Sequence, residues 1–147
     1  MRVLGVEIKG GEALFCLLTM EDGLIAVPSM RALSMTMAKL ESTEAIRKFH
    51  FAFGKLVEDY HVDHIAIIER PSKGKYAGSG GGFKMETAMQ LITSVSASIM
   101  HPTEMKEWIK RNPVQASFDE LGLKKFQKQA FDVAYAYCQS RLHTQAD

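Results

Sequence analysis

Two short apolar runs, Val3-Leu4-Gly5-Val6 and Ile65-Ala66-Ile67-Ile68, each stop at an acid, Glu7 and Glu69. Short β-branched runs bounded by charge or glycine read as strands buried on both faces. The first strand covers residues 2–8 and a second covers 12–18, with Lys9-Gly10-Gly11 as a tight turn between them. Glu21-Asp22-Gly23 marks another turn before a third strand, Leu24-Ile25-Ala26-Val27. From Pro28 to Leu40 the period is lost. Met30, Met35 and Met37, with Leu33 and Leu40, predict an irregular cover over the core, because methionine fills uneven gaps.

Helical spacing takes over after Ser42 and Thr43, either of which can cap a helix that begins near Glu44. Ile46, Phe49, Phe53, Leu56, Val57 and Tyr60 make its one apolar stripe. The fourth strand ends at Glu69 and runs into a glycine-rich loop. A helix from about Phe83 to Leu91, a strand from Ser96 to Met100 and a helix capped by Thr103 follow. That helix carries Met105, Trp108 and Ile109 and ends near Asn112-Pro113; a last helix runs from about Leu123 to Gln139. The order βββαβαβα, with the last helical stretch doubled, predicts an α/β fold. A hairpin meander followed by right-handed crossovers gives a mixed five-stranded sheet with helices on both faces.

The 147 residues are the size of one domain, and no repeat or linker divides residues 1–147. A 46% hydrophobic and 24% charged composition is that of a globular chain. Cys16 and Cys138 sit in apolar surroundings without CxxC spacing, which reads as buried free thiols in a reducing compartment. Met1-Arg2 runs straight into a strand, and the apolar run Ala13 to Leu18 is far short of a membrane span. The expectation is a cytoplasmic protein with no membrane partner. Net charge of +1 excludes a uniformly basic nucleic-acid binder. Local strips remain: Arg70, Lys73, Lys75 and Lys84 fall in a stretch without an acid. A second set, Lys106, Lys110, Arg111, Lys124, Lys125 and Lys128, has three acids interspersed.

Alternation puts Val3, Gly5 and Glu7 on one face of the first strand, and Ile65, Ile67 and Glu69 on one face of the fourth. In open α/β sheets the carboxyl ends of strands are where ligands bind. Asp132, in Ala130-Phe131-Asp132-Val133-Ala134-Tyr135-Ala136, lies off the centre of the last helix's stripe of Phe126, Ala130, Val133, Ala134 and Tyr137. That position lets it reach the rim of the sheet without submersion, and small Ala136 permits close approach. Three carboxylates there would repel one another unless a cation compensates, and Mg²⁺ or Mn²⁺ suits such oxygen donors. His101 reads as a structural or capping histidine at a strand end, and Trp108 as core.

Four blocks together resemble the ribonuclease H-like superfamily, in particular RuvC-type junction resolvases and small uncharacterised bacterial proteins related to them. They are Val3-Leu4-Gly5-Val6-Glu7 with Gly10-Gly11; Ile67-Ile68-Glu69; His101-Pro102-Thr103-Glu104-Met105-Lys106; and Ala130 to Ala136 around Asp132. The resemblance implies that the first and fourth strands are central neighbours, bringing Glu7 and Glu69 together. It also implies that Glu7, Glu69 and Asp132 are catalytic and bind Mg²⁺ or Mn²⁺. This chain has Glu7 where the family usually has aspartate, and Gln129 where RuvC-type enzymes usually carry a further acid.

The implied activity is metal-dependent hydrolysis of a phosphodiester in structured or branched nucleic acid, with room for a homodimer. Lys73, Lys75, Lys84 and Lys106 are the expected phosphate contacts, and Tyr76 between lysines can stack on a base or sugar. The loop from Pro71 to Gly82 holds five glycines but matches no nucleotide fingerprint. Two other readings stay open. One is a catalytically impaired module that binds nucleic acid or a protein, which Glu7 and Gln129 favour. The other is an actin-like phosphotransferase module, because Gly5 to Gly11 also resembles that fold's opening hairpin.

Overall fold

A computed structural model describes residues 1–37, 42–71 and 80–146, with side chains of the last stretch through residue 144. Its central hairpin pairs β1 (Arg2–Lys9) with β2 (Glu12–Glu21) in antiparallel register, Gly5 opposite Cys16 and Glu7 opposite Leu14. Gly10 turns the chain at φ +63°, a conformation glycine adopts without a Cβ penalty. Asp22 and Gly23 both hold positive φ, which suits the tight turn into β3 (Leu24–Ala26).

Residues Ser34–Thr36, expected in an irregular cover, instead form β4, an edge strand antiparallel to Glu12–Leu14 of β2. Among the described residues the sheet therefore has six strands rather than five. Three residues are too few to show a period, and their ladder partner lies some twenty residues earlier in the chain. Met30 and Met35 do pack against the core beside buried Met37, as methionines in a cover should.

Ser42 caps α1 (Thr43–Asp59), its Oγ accepting from the Ala45 amide at 3.2 Å. The stripe of Phe49, Phe53, Leu56 and Val57 is buried. Next comes β5 (His64–Ile68), parallel to β1, then α2 (Gly80–Gln90) and β6 (Ser96–Met100), parallel to β5. The sheet order is β3-β2-β1-β5-β6, with β4 beside β2. β1 and β5 are thus central neighbours, as expected.

His101, not Thr103, caps α3 (Pro102–Arg111): its Nδ1 accepts from the Thr103 amide at 3.1 Å, and Pro102 starts the first turn. A four-residue α4 (Phe118–Leu121) precedes the expected last helix, which begins as a 3₁₀ turn (Lys125–Gln127) and continues as α5 (Lys128–Ala146).

One apolar layer joins Leu4, Val6, Phe15 and Ile67 to α1 and α2; the other joins Val3, Cys16, Ala66 and Ile68 to α3 and α5. Gly5 sets how closely α5 lies on the sheet. A Cβ there would sit 1.8 Å from the Ala130 carbonyl oxygen and 2.9 Å from Ala134 Cβ. The expected α5 stripe is corrected at one end, because Phe126 falls in the 3₁₀ turn and is 47% exposed. Elsewhere α5 is buried almost all round, Phe131, Tyr135, Ala136 and Cys138 included, since α3 and α4 cover the side that faces away from the sheet. Among the described residues no helix is long and apolar enough to cross a membrane.

Candidate functional site

The register of β1 on β5 fixes the two strand-end acids. Val6 is level with Ile67, so Glu7 stands level with Ile68, and Glu69 follows one residue later on the neighbouring parallel strand. Adjacent strands lie about 4.8 Å apart, so the two backbones meet at one end of the sheet. The faces assigned by alternation are, however, opposite ones. Val3 packs in the α5 layer, and Ile65 and Ile67 in the α1–α2 layer. Glu7 therefore leans towards α5, and continued alternation sends Glu69 towards α2.

Glu7 is half-buried, and burial raises its carboxyl pKa above the usual 4.5, an effect the charge of Lys9 partly offsets. The start of α5 lies over this end of β1. Gln127 Nε2 donates to the Phe15 carbonyl at 3.0 Å, and Phe15 is the β2 partner of Val6. Two residues after Gln127, Gln129 places a buried Oε1 that accepts no hydrogen bond. Asp132 is buried, 8% exposed, where a rim position without submersion was expected. Helix α3 is the reason. Asp132 lines a cavity of about 300 Å³ with Met105, Lys106, Ile109, Lys110, Lys128 and Gln129. Its Oδ2 accepts from Lys128 Nζ at 2.7 Å, the i,i+4 ion pair of a helix. Its charge also helps to raise the pKa of Cys16, which burial chiefly pushes up to about 12.

Glu69 is exposed, and its amide continues the β5–β6 ladder by donating to the Met100 carbonyl at 2.9 Å. Its neighbours on the α2 side are Arg70 and Glu86. The Arg70 guanidinium lies over the Phe83 ring at 4.3 Å and against Gly82, where a Cβ would come 2.3 Å from Nη1. Its Nε and Nη2 are buried without a hydrogen-bond acceptor, and so is Oε2 of Glu86, which is 9% exposed. Burial raises the Glu86 pKa, with Arg70 opposing and Glu69 adding to the rise. Unpaired buried groups of this kind cost about 1–3 kcal/mol each, more than the ring contact returns at about 0.5–2 kcal/mol.

Among the described residues no three His, Cys, Asp or Glu side chains are gathered to hold one metal ion. Glu7 and Glu69 stand at one end of the sheet and Asp132 sits on α5 against α3, and the three do not close into a ligand set. Of the expected phosphate contacts, Lys106 is exposed beside Asp132, and Lys84 is exposed on α2. Lys73, Lys75 and Tyr76 lie outside the described residues. Cys16 and Cys138 are buried free thiols, as expected, both with pKa pushed up to about 12 by burial. Trp108 packs against the α5 layer and His143.

The sequence reading placed Arg70 and Lys128 in its two cationic strips without tying either to an acid, and it missed Glu86. Lys128 was detectable by its i,i+4 spacing to Asp132. Glu86 was not, because a lone acid on a short helix normally faces solvent.

The same architecture recurs in known structures at low sequence identity. The Thermus thermophilus RuvC structure superposes with a TM-score of 0.74 at 15% identity, over 98% of each chain. T. thermophilus RuvC in complex with a Holliday junction substrate gives 0.67 at 14% identity, over 97% of this chain and 96% of that one. The fowlpox virus resolvase with Holliday junction DNA gives 0.58 at 12% identity, over 97% and 99%. These likenesses show the RuvC-like ribonuclease H fold. No curated protein matches the sequence. The profile of a family described as a protein of unknown function, DUF3010, matches residues 1–137, and this chain is therefore a member of the DUF3010 family.

Proposed function

We propose that this chain is a divalent-metal-dependent nuclease that hydrolyses phosphodiester bonds in structured or branched nucleic acid, with Glu7, Glu69 and Asp132 as its acids. The observation that supports the reading is the β1–β5 register, which brings the backbones of Glu7 and Glu69 to one end of the sheet, with the start of the helical stretch that bears Asp132 over the Glu7 side. Structural neighbours of the same fold that hold Holliday junction DNA support the substrate class.

The donors suit Mg²⁺ or Mn²⁺ in kind. Burial destabilises the Glu7 anion, and the buried Gln129 Oε1 has no donor, so both oxygens lack what a hard cation would supply. Such an ion, when bound, lowers the pKa of coordinated water and stabilises charge on phosphate oxygens. The chain's own part is to place charge. Lys106 and Lys110 face the Asp132 cavity and would hold the phosphate backbone, while Lys128 keeps the Asp132 carboxylate oriented. Lys73, Lys75, Lys84 and Tyr76 extend the nucleic-acid contact in the same proposal. A two-copy assembly belongs to it as well. Phe51 and Leu91, 71% and 64% exposed, are apolar surface that it would cover, and light scattering reads it directly.

The test is cleavage of four-way junctions, hybrids and single strands with Mn²⁺. Products that vanish in Asp132→Asn while binding persists are expected. A second reading, a binding module without cleavage, has its own observation: Lys128 already occupies Asp132, and Gln129 is neutral. Binding by wild type with no products on any substrate would select it.

A further inference from the structure

We propose that Arg70 is a phosphate-binding residue held in reserve, its guanidinium stored in a crevice against Gly82 and Phe83 beside Glu86, from which it swings to the rim to take a nucleic-acid phosphate. The inference deepens the proposed function and rests on it for the identity of the natural ligand. Three independent features carry it. A guanidinium cannot shed its proton, yet Nε and Nη2 are buried with nothing to donate to. Glu86, more than nine-tenths buried, leaves Oε2 equally unpartnered, so the two opposite charges neighbour each other without closing a hydrogen-bonded pair. The guanidinium also lies against the first turn of the eleven-residue α2, the positive end of that helix's dipole, where a cation is disfavoured and an anion favoured.

A site meant only for packing would not set a cation there with two of its nitrogens buried and unpartnered. A phosphate removes each anomaly at once. It gives the planar fork of Nε–H and Nη–H two charge-assisted oxygen acceptors, and it brings negative charge to the helix end. Arg70 directly follows Glu69, so a phosphate taken by Arg70 is held next to the strand-end acids. Glu86 acts as the competing anion that retains the side chain until ligand arrives.

Two titrations on the full chain test this. In the first, fluorescent four-way junction DNA is bound by wild type, Arg70→Gln, Glu86→Gln and the double variant across a salt series. Arg70→Gln should weaken binding about tenfold, as loss of one charge-assisted contact does, and reduce the log–log salt slope by about 1. Glu86→Gln should tighten binding a few-fold, and that gain should vanish in the double variant. In the second, pyrophosphate should raise the melting temperature of wild type but not of Arg70→Gln. If Arg70→Gln only lowers the melting temperature, with affinity and slope unchanged, Arg70 is structural and the proposal falls while the nuclease reading stands. A pyrophosphate response lost in Arg70→Gln, with no DNA binding by wild type, keeps the anion site and sinks the nuclease reading. No response to either probe overturns both.

Discussion

His64 shows how burial turns one side chain into a pH-dependent term. Its ring nitrogens lie 3.0 Å from Ser96 Oγ and 2.8 Å from Ser98 Oγ, and the ring stacks on Tyr137 with centroids 3.9 Å apart. Burial, with a contribution from the Arg141 charge, lowers its pKa from 6.5 to about 4. Between those values the unfolded chain binds a proton that the native state refuses, so stability falls as pH drops through that window. Urea midpoints measured from pH 7 to pH 4.5 should decline in wild type and decline less in His64→Gln. Glu7 and Glu86 work in the opposite direction, because their raised pKa values favour the neutral forms in the fold as pH falls. For Glu7 there is a second consequence. The stabilisation that Mn²⁺ confers should fade as pH falls, from a higher pH than an ordinary carboxylate would dictate, and Glu7→Gln should abolish it at every pH. Both strand-end acids were legible from where their apolar runs stop. The burial of Asp132 was not, since it depends on α3 lying over α5.

At the scale of elements, the contact between β1 and α5 is decided by one missing side chain. Gly5→Ala would drive a methyl into the Ala130 carbonyl, so helix and sheet must part. A loss of about 3 kcal/mol or more is expected in urea unfolding, at the top of the range for overpacking. The Lys128–Asp132 pair is weaker, because the lysine side chain is 64% exposed. Lys128→Gln should cost about 1 kcal/mol or less, yet strengthen the Mn²⁺ response by freeing the carboxylate. An unchanged Mn²⁺ response in that variant would show that Lys128 does not compete for Asp132. β1, β2, β3, β5, β6 and helices α1, α2, α3 and α5 could be read from the chain because their runs are periodic or their caps explicit, Ser42 among them. β4 and α4 were missed because three or four residues carry no period. The single final helix was expected because Gln127 and Lys124, which close its 3₁₀ start through a side-chain bond at 2.9 Å, look like ordinary helix formers.

For the molecule as a whole, the decisive fact is which strands are neighbours, and no local pattern encodes that. The β1–β5 pairing was available only through the resemblance of four separated blocks, whereas layers and helix faces followed from periodicity. The opposite facing of Glu7 and Glu69 needed the register itself. The charge distribution also acts at this scale. Lys106, Lys110 and Lys128 surround one cavity, so replacing all three by alanine should reduce the salt slope of junction binding by about 2–3. An unaltered slope would move the nucleic-acid path away from the α3–α5 face.

The central place of β1 bears on how the chain is made. Its β2 partner follows after a two-residue turn, but its other edge stays open until residues 64–68 arrive. During synthesis a nascent chain therefore carries a hydrophobic strand with one unsatisfied edge for some forty residues after the hairpin closes, a template for pairing with another chain. A fragment of residues 1–60 should aggregate in a concentration-dependent way, and added peptide 61–70 should suppress this by supplying the missing strand. Chaperone dependence in this fold would then trace to the late arrival of β5 rather than to any instability of the finished protein.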